Sequence, residues 1–121
     1  MNNFKKGIKM KVYVAIIDYF YDDYKRSEGS SDIIGLYKNR EIAYKNVLKT
    51  EYEKNIDGGQ EKRKVKYETL FKSLDTIETF SKKFLEKWEE AREEYLGNPE
   101  FGSMYATGHR FQVSEQTLND E

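Results

Sequence analysis

The sequence predicts a single α+β domain with a small antiparallel sheet and two main helices, the second of them long. Three observations support this fold class. The 121 residues suffice for one hydrophobic core and are too few for two. Runs of β-branched and aromatic residues alternate with segments whose apolar residues recur at helical spacing. Aromatic residues make up 15% of the chain and supply apolar area to a core, although only 37% of residues are hydrophobic.

The first two elements are predicted to be paired strands. Residues 11–21, KVYVAIIDYFY, are rich in β-branched and aromatic residues and apolar on both faces, so we expect them at the centre of the sheet. Residues 27–32, SEGSSD, indicate a turn or a flexible loop. Residues 33–37, IIGLY, predict a short second strand that pairs antiparallel with the first.

A helix is predicted next, with Asn39 as its N-cap, because an asparagine oxygen accepts hydrogen bonds from the first backbone N–H groups. It should run to about Asn55, before the turn of residues 57–59, DGG. Residues 62–70, KRKVKYETL, alternate in polarity and predict a half-exposed third strand. The apolar face of the helix would consist of Ile42, Ala43, Val47, Leu48 and Tyr52.

The second helix is predicted to be long, at about five turns. Asp75 and Glu78 resemble a capping box at its start. Gly97 and Pro99 end it, because glycine favours the position after a helix and proline prevents the helix from resuming. The spacing of the apolar residues places the single tryptophan, Trp88, on the buried face.

The last predicted element is a strand at residues 109–114. The domain would then span residues 11–114 as one ligand-binding unit. Residues 1–10 would form an N-terminal arm, and residues 115–121 a loose polar tail.

The composition argues against most catalytic chemistry. The chain has no cysteine and one histidine, which excludes a disulfide framework, a thiolate zinc site and a histidine-pair metal site. Phosphate-binding loops and GxSxG motifs are absent from the sequence. We therefore expect no catalytic residue, no metal and no cofactor. A hydrolase that uses carboxylates alone is an alternative, although the glutamates are expected on a solvated helix face: Asp18, Asp22 and Asp23, or Glu89, Glu90, Glu93 and Glu94.

Charge and hydropathy narrow the possible partners. The 21 Lys and Arg nearly balance the 22 Asp and Glu, which argues against a protein that coats a nucleic acid polymer. No stretch approaches the roughly 20 apolar residues of a membrane span, so we expect a cytoplasmic protein. The aromatic residues offer more apolar surface than one small core hides, which predicts a homo-oligomer.

Residues 97–111, GNPEFGSMYATGHRF, are the strongest candidate for a binding site. Glycine, proline and asparagine break regular structure there, while several rings and an arginine lie close together. Rings stack on bases and arginine forms paired hydrogen bonds with phosphate, so the mixture suits a nucleotide. The alternative is a lid of Phe101, Met104 and Tyr105 over the core, with Arg110 in a surface ion pair.

The order of the elements is similar to that of a known family. The segments KVYVAIIDYFY, IIGLY, NREIAYKNVL, EEAREEYLGNPE and GHRFQV together resemble the Thoeris anti-defence family, type one, over residues 11–114. Members of that family are phage proteins that sequester cyclic ADP-ribose isomers without cleaving them and so block bacterial Thoeris signalling. Some members also hold cyclic trinucleotides at separate sites. The resemblance implies an antiparallel sheet with helices, assembled into dimers and hexamers.

The resemblance also implies binding residues, in pockets between protomers that use aromatic stacking and contacts from arginine and asparagine. In this chain the candidates are Asn98, Phe101, Tyr105, His109 and Arg110. A second site, for anions of the cyclic oligonucleotide type, would use Lys25, Arg26 and Arg63. The alternative function is a small phage inhibitor that binds a host defence protein directly through an acidic helix face, although lysines interrupt that face.

Overall fold

Three strands and three helices make up the part of the chain that the structure describes. The structure is a computed structural model, and it describes residues 9–22, 27–97 and 106–119. The strands are β1 (Lys9–Asp22), β2 (Ser27–Tyr37) and β3 (Ala106–Asn119), and the helices are α1 (Arg40–Asn55), α2 (Lys64–Ser73) and α3 (Lys82–Leu96). Short 3-10 turns lie on either side of α2, at Glu61–Arg63 and Leu74–Thr76. The α+β class is confirmed.

The strands form one antiparallel sheet in the order β2-β1-β3, so the first strand is central, as the sequence predicts. Tyr13 lies opposite Tyr37 of β2, and Asp22 lies opposite both Ser27 and Ala106. β1 therefore has hydrogen-bonded neighbours on both sides, and β2 and β3 are the edge strands.

Both edge strands are longer than the sequence predicts. Residues 27–32 are the first half of β2 and not a loop, and residues 115–119 belong to β3 and not to a loose tail. β1 likewise begins at Lys9, inside the predicted arm. The reason is strand pairing. The 14-residue central strand offers N–H and C=O groups along both edges, so polar residues beside it form backbone hydrogen bonds and become part of a strand. Their side chains have low strand propensity and therefore do not predict this.

Helix α1 matches its prediction closely. The Asn39 side chain accepts from the backbone N–H of Glu41 at 2.8 Å and of Ile42 at 3.0 Å, so it is the N-cap. The helix ends at Asn55, as expected. Ile42 was expected on the buried face but is 50% exposed, because it lies in the first turn, away from the stripe that meets the sheet. That stripe consists of Ala43, Val47, Leu48, Glu51, Tyr52 and Asn55.

Residues 62–70 were predicted as a strand, and this is wrong, because most of them lie in α2. The alternation of Val65 and Tyr67 suggested a common buried face, yet Val65 is 68% exposed while Tyr67 is fully buried. The packing follows helical spacing instead, since Leu70 and Leu74 follow Tyr67 at intervals of three and seven and lie in or against the core. A short segment can fit the strand period of two and the helical period of 3.6 almost equally well, and here the burial of Tyr67 in the tertiary structure favours the helix.

Helix α3 starts later than predicted. Its N-cap is Ser81, whose hydroxyl accepts the backbone N–H of Phe84 at 3.1 Å, and not Asp75. The backbone of Phe80 is held by the first turn of α1: its N–H donates to Glu41 Oε2 at 2.7 Å, and its C=O accepts Arg40 Nη2 at 3.0 Å. These bonds keep Phe80 out of a helix.

The core lies between one face of the sheet and the helices. We call this the inner face; it carries Ala15 and Ile17 of β1 and the half-buried Phe111 of β3, which meets Tyr44 of α1 edge-on. Helices α2 and α3 also pack on each other. Trp88 of α3 is fully buried, as the sequence predicts. None of the described helices is long and apolar enough to cross a membrane.

Replacing Trp88 by Ala should lower the free energy of unfolding by about 3–5 kcal/mol, because the cavity left by a buried ring is not refilled. Urea unfolding followed by circular dichroism measures this. Val65→Ala is the matched control, since Val65 is 68% exposed. Equal stabilities of the two variants would contradict the burial of Trp88.

Candidate functional site

Three of the predicted site residues lie within the described part of the chain, namely Arg63, His109 and Arg110. The other five fall outside the described residues: Asn98, Phe101, Tyr105, Lys25 and Arg26. The geometry of the site is therefore built from β3 and from the helices that meet it.

The sheet has one end at which all three strands meet segments with predicted site residues. β1 ends there at Asp22, and β2 and β3 begin opposite it, at Ser27 and Ala106. Residues 23–26 connect β1 to β2, and residues 98–105 connect α3 to β3. The two segments were expected to carry two separate sites, whereas the topology attaches both to the same end of the sheet.

A buried carboxylate that the sequence analysis missed lies beside this part of β3. Glu51 of α1 is fully buried, and its Oε1 accepts the Tyr67 hydroxyl at 2.7 Å and the Trp88 indole N–H at 2.8 Å. Its Oε2 accepts the backbone N–H of Phe111 at 2.9 Å and Arg92 Nη1 at 3.2 Å. All four partners are donors, which suits an ionised carboxylate.

The burial of this cluster shifts its acid–base equilibria. Burial raises the pKa of Glu51, and the charge of Arg92 and the hydrogen bonds from Tyr67, Trp88 and Phe111 oppose the rise. Burial, followed by the nearby Glu51 carboxylate, raises the pKa of Tyr67 far above its usual value. The phenol therefore keeps its proton and acts as a donor to Glu51.

Asn55, one turn after Glu51, binds the backbone of β3. Its Oδ1 accepts the His109 N–H at 2.7 Å, and its Nδ2 donates to the His109 carbonyl at 2.8 Å. On the edge of β3 that faces away from β1, the Asn55 amide thus makes the pair of backbone hydrogen bonds that a neighbouring strand would make. With the Glu51 bond to Phe111, it fixes the backbone on both sides of Arg110.

Arg110 belongs to a group of four alternating charges, which we call the charge chain. Glu51 Oε2 lies 3.2 Å from Arg92 Nη1, and Glu93 Oε1 lies 3.1 Å from both Arg92 Nη2 and Arg110 Nη2. The side chains of Glu51 and Arg92 are buried, at 0% and 6% exposure, whereas those of Glu93 and Arg110 are partly exposed, at 45% and 39%. The surface ion pair that the sequence analysis held as an alternative for Arg110 is therefore present. It also orients the guanidinium.

His109 lies on the other side of β3, in an aromatic pair. Its ring centroid is 4.9 Å from that of Tyr19, which is 40% exposed. Burial and then the charge of Lys54 lower the pKa of His109, against a smaller effect of Asp32, so the imidazole is neutral at pH 7. Its Nδ1 has no hydrogen-bond partner among the described residues. The pair offers a partly exposed aromatic surface next to the Arg110 backbone.

Arg63, the remaining predicted residue, lines an open groove of about 1540 Å³ between α2 and α3. Arg92 and Glu93 of the charge chain also line the groove. Basic and acidic side chains line the groove in equal numbers, so neither sign of charge dominates it. The basic residues are Arg63, Lys66, Lys83, Lys87 and Arg92, and the acidic residues are Glu86, Glu89, Glu90, Glu93 and Glu94.

The acidic residues considered for hydrolysis belong to two elements: Asp18 and Asp22 lie on β1, and the four glutamates lie on α3. Asp23 falls outside the described residues. Glu89 and Glu90 are exposed, as expected, whereas Glu93 belongs to the charge chain and Glu94 pairs with Lys66 at 3.2 Å. Asp18 accepts the Ser31 hydroxyl on the sheet. Within the described residues no three acidic, histidine or cysteine side chains are grouped to hold a metal.

The buried network had a weak signal in the sequence. Val47, Glu51 and Asn55 follow one another at intervals of four, so two polar residues lie on the apolar stripe of α1. A polar side chain on a buried stripe requires partners. Those partners come from α2, α3 and β3, and no local pattern identifies them.

Comparison with known proteins gives no relative from which the site can be read. No protein-family model matches the chain, and no curated protein or solved structure matches it. The site is therefore interpreted from its own geometry and chemistry.

Glu51→Gln should lower the free energy of unfolding by about 3–5 kcal/mol, because it removes the buried partner of Arg92 and leaves only the partly exposed Glu93 among the carboxylates paired with it. Urea unfolding of the variant against the wild type measures the loss. Glu53→Gln is the control: Glu53 is exposed on the same helix, and its replacement should change stability by less than about 0.5 kcal/mol. Similar losses in both variants would show that Glu51 does not organise the core.

Proposed function

We propose that this protein is a non-catalytic sponge that binds and sequesters a cyclic ADP-ribose-type nucleotide, as a phage-encoded anti-defence protein would in the host cytoplasm. The proposal starts from the resemblance of the sequence to the Thoeris anti-defence family, type one. It includes assembly into a homo-oligomer, a dimer or a hexamer. The proposal adds cyclic oligonucleotides as a second ligand class, bound through Arg63 and the basic residues Lys25 and Arg26.

The observation that carries the proposal is the rigid presentation of Arg110. The backbone amides on either side of it bind buried side chains of α1, and Glu93 holds its guanidinium at 3.1 Å. A group that is already ordered loses little conformational entropy when a ligand binds. Its guanidinium is 39% exposed, so a phosphate can reach it and form paired, charge-assisted hydrogen bonds.

The aromatic pair supports the same ligand class. Tyr19 and His109 place two rings beside the Arg110 backbone, and a purine base can stack on a partly exposed ring. His109 and Arg110 alternate along β3, so their side chains leave opposite faces, and Glu93 directs the guanidinium toward α3 at the strand edge. A compact ligand with a base and a pyrophosphate would meet both groups at that edge.

The alternative, a phage inhibitor that binds a host defence protein through an acidic helix, gains less support. The glutamates of α3 that would form such a face are interrupted by Lys82, Lys83 and Lys87, all of them exposed. A continuous acidic surface, as a nucleic acid mimic requires, does not form on a helix with this charge pattern.

Arg110→Ala should weaken the binding of cyclic ADP-ribose isomers by about ten- to a hundredfold, the loss typical of one charge-assisted contact. Arg110→Lys should bind with intermediate affinity, because an ammonium cannot reproduce the paired geometry of a guanidinium. Isothermal titration calorimetry measures both. Lys49→Ala is the control. It also breaks a surface ion pair, the one with Asp75 at 2.7 Å, but this pair joins α1 to the turn after α2 and does not involve β3. Unchanged affinity in Arg110→Ala with an intact melting curve would remove Arg110 from the site.

Sequestration also predicts the fate of the ligand. After incubation with a cyclic ADP-ribose isomer and heat denaturation, the supernatant should contain the nucleotide intact, as chromatography with mass spectrometry shows. A cleaved or rearranged product would instead identify an enzyme and overturn the sponge.

A further inference from the structure

The inner face of the sheet becomes accessible where α1 ends. Along β1, Ala15 is fully buried and Ile17 is 2% exposed, whereas the next residue on that face, Tyr19, is 40% exposed. Helix α1 packs on the sheet and ends at Asn55, whose side chain binds the backbone of His109. Beyond this helix end, the Tyr19 and His109 rings, with centroids 4.9 Å apart, form a partly exposed aromatic surface on the inner face.

A carboxylate from the third strand faces the same side of the sheet. His109 of β3 lies directly opposite Tyr19, and Asp32 of β2 lies directly opposite Ile17. Directly opposed residues of an antiparallel pair share a face, and so do residues two positions apart on one strand. Asp32, Tyr19 and His109 therefore all belong to the inner face, one on each strand.

Two exposed charges of opposite sign accompany the rings. One is Asp32, and the other is Lys54 in the last turn of α1. Burial lowers the pKa of His109 most, the Lys54 charge lowers it further and the Asp32 charge raises it, so both charges lie near the imidazole. Neither side chain forms a hydrogen bond or an ion pair with another described residue. The surface thus combines rings with an unpaired acceptor, the carboxylate, and an unpaired donor, the ammonium.

We propose that this surface binds the adenine base of the nucleotide. Tyr19 stacks on the base, Asp32 accepts a hydrogen bond from its exocyclic amino group, and Lys54 donates to its N7. The inference rests on the proposed function, because it assigns the base of the same ligand whose phosphate Arg110 would bind. Neighbouring strands lie about 4.8 Å apart, so a base over Tyr19 of β1 is one strand away from the edge at which Arg110 lies.

The hydrogen-bonding groups of adenine match these two charges. Its amino group is a donor, and the neighbouring N7 is an acceptor. A carboxylate can only accept, so Asp32 binds the amino group and repels the carbonyl oxygen that hypoxanthine carries at the same position. An ammonium can only donate, so Lys54 binds N7, which both bases have. Asp32 therefore determines which purine is bound, whereas Lys54 adds affinity for either one.

Two nucleotides that differ only at this position test the assignment. One is a cyclic ADP-ribose isomer closed through its two riboses, so that its adenine is unmodified, and the other is the same compound with hypoxanthine. In isothermal titration calorimetry the wild type should bind the adenine compound at least about tenfold more tightly, because hypoxanthine leaves the Asp32 carboxylate without a donor. Asp32→Ala should bind the two with similar affinity. Lys54→Ala should weaken both by a similar factor and keep the preference.

Asp75→Ala is the matched control, since it removes an exposed carboxylate from the turn after α2 and should leave both affinities unchanged. The melting curves of the variants should match that of the wild type, because the replaced side chains are exposed. A wild type that binds both nucleotides equally, or an Asp32→Ala variant that keeps the preference, would overturn the base assignment and leave the sponge standing. A wild type that binds neither nucleotide would overturn the proposed function, and the base assignment with it.

Discussion

The structure depends on one buried carboxylate. Glu51 receives donors from a tyrosine of α2, a tryptophan and an arginine of α3, and the backbone of β3, so a single side chain of α1 joins three other elements. A buried ion adds little net stability when compared with a well-packed apolar residue, and its removal is costly. What it contributes here is geometry, because its directional bonds fix how the helices and the edge strand meet.

That geometry makes the sheet asymmetric. Glu51 and Asn55 cover the outer edge of β3 at two backbone positions, and α1 covers the inner face. The face of the sheet opposite α1 carries no described helix. The backbone around Arg110 is held by hydrogen bonds from Glu51 and Asn55, and both of these side chains are buried.

The successes and errors of the sequence analysis share one cause. Asn39 as N-cap, β1 as central strand and Trp88 as a core residue follow from local patterns, and the structure confirms them. The strand predicted at residues 62–70 and the loop predicted at residues 27–32 are wrong, because α2 is set by burial of Tyr67 and β2 by pairing with β1. In both segments the deciding partner is distant in the chain.

The sequence by itself determined the α+β class, the central strand, the first helix with its cap, and the choice of Arg110 and its neighbours as a candidate site. Only the tertiary structure decided that Arg110 is oriented by Glu93, that Glu51 and Asn55 anchor the strand around it, and that the apolar residues of the sheet divide into a covered and an open face. Local propensity and hydrophobic period act over a few neighbouring residues, whereas hydrogen-bond partners and burial depend on groups 40 to 60 positions away, as the bonds of Glu51 to Arg92 and Phe111 show.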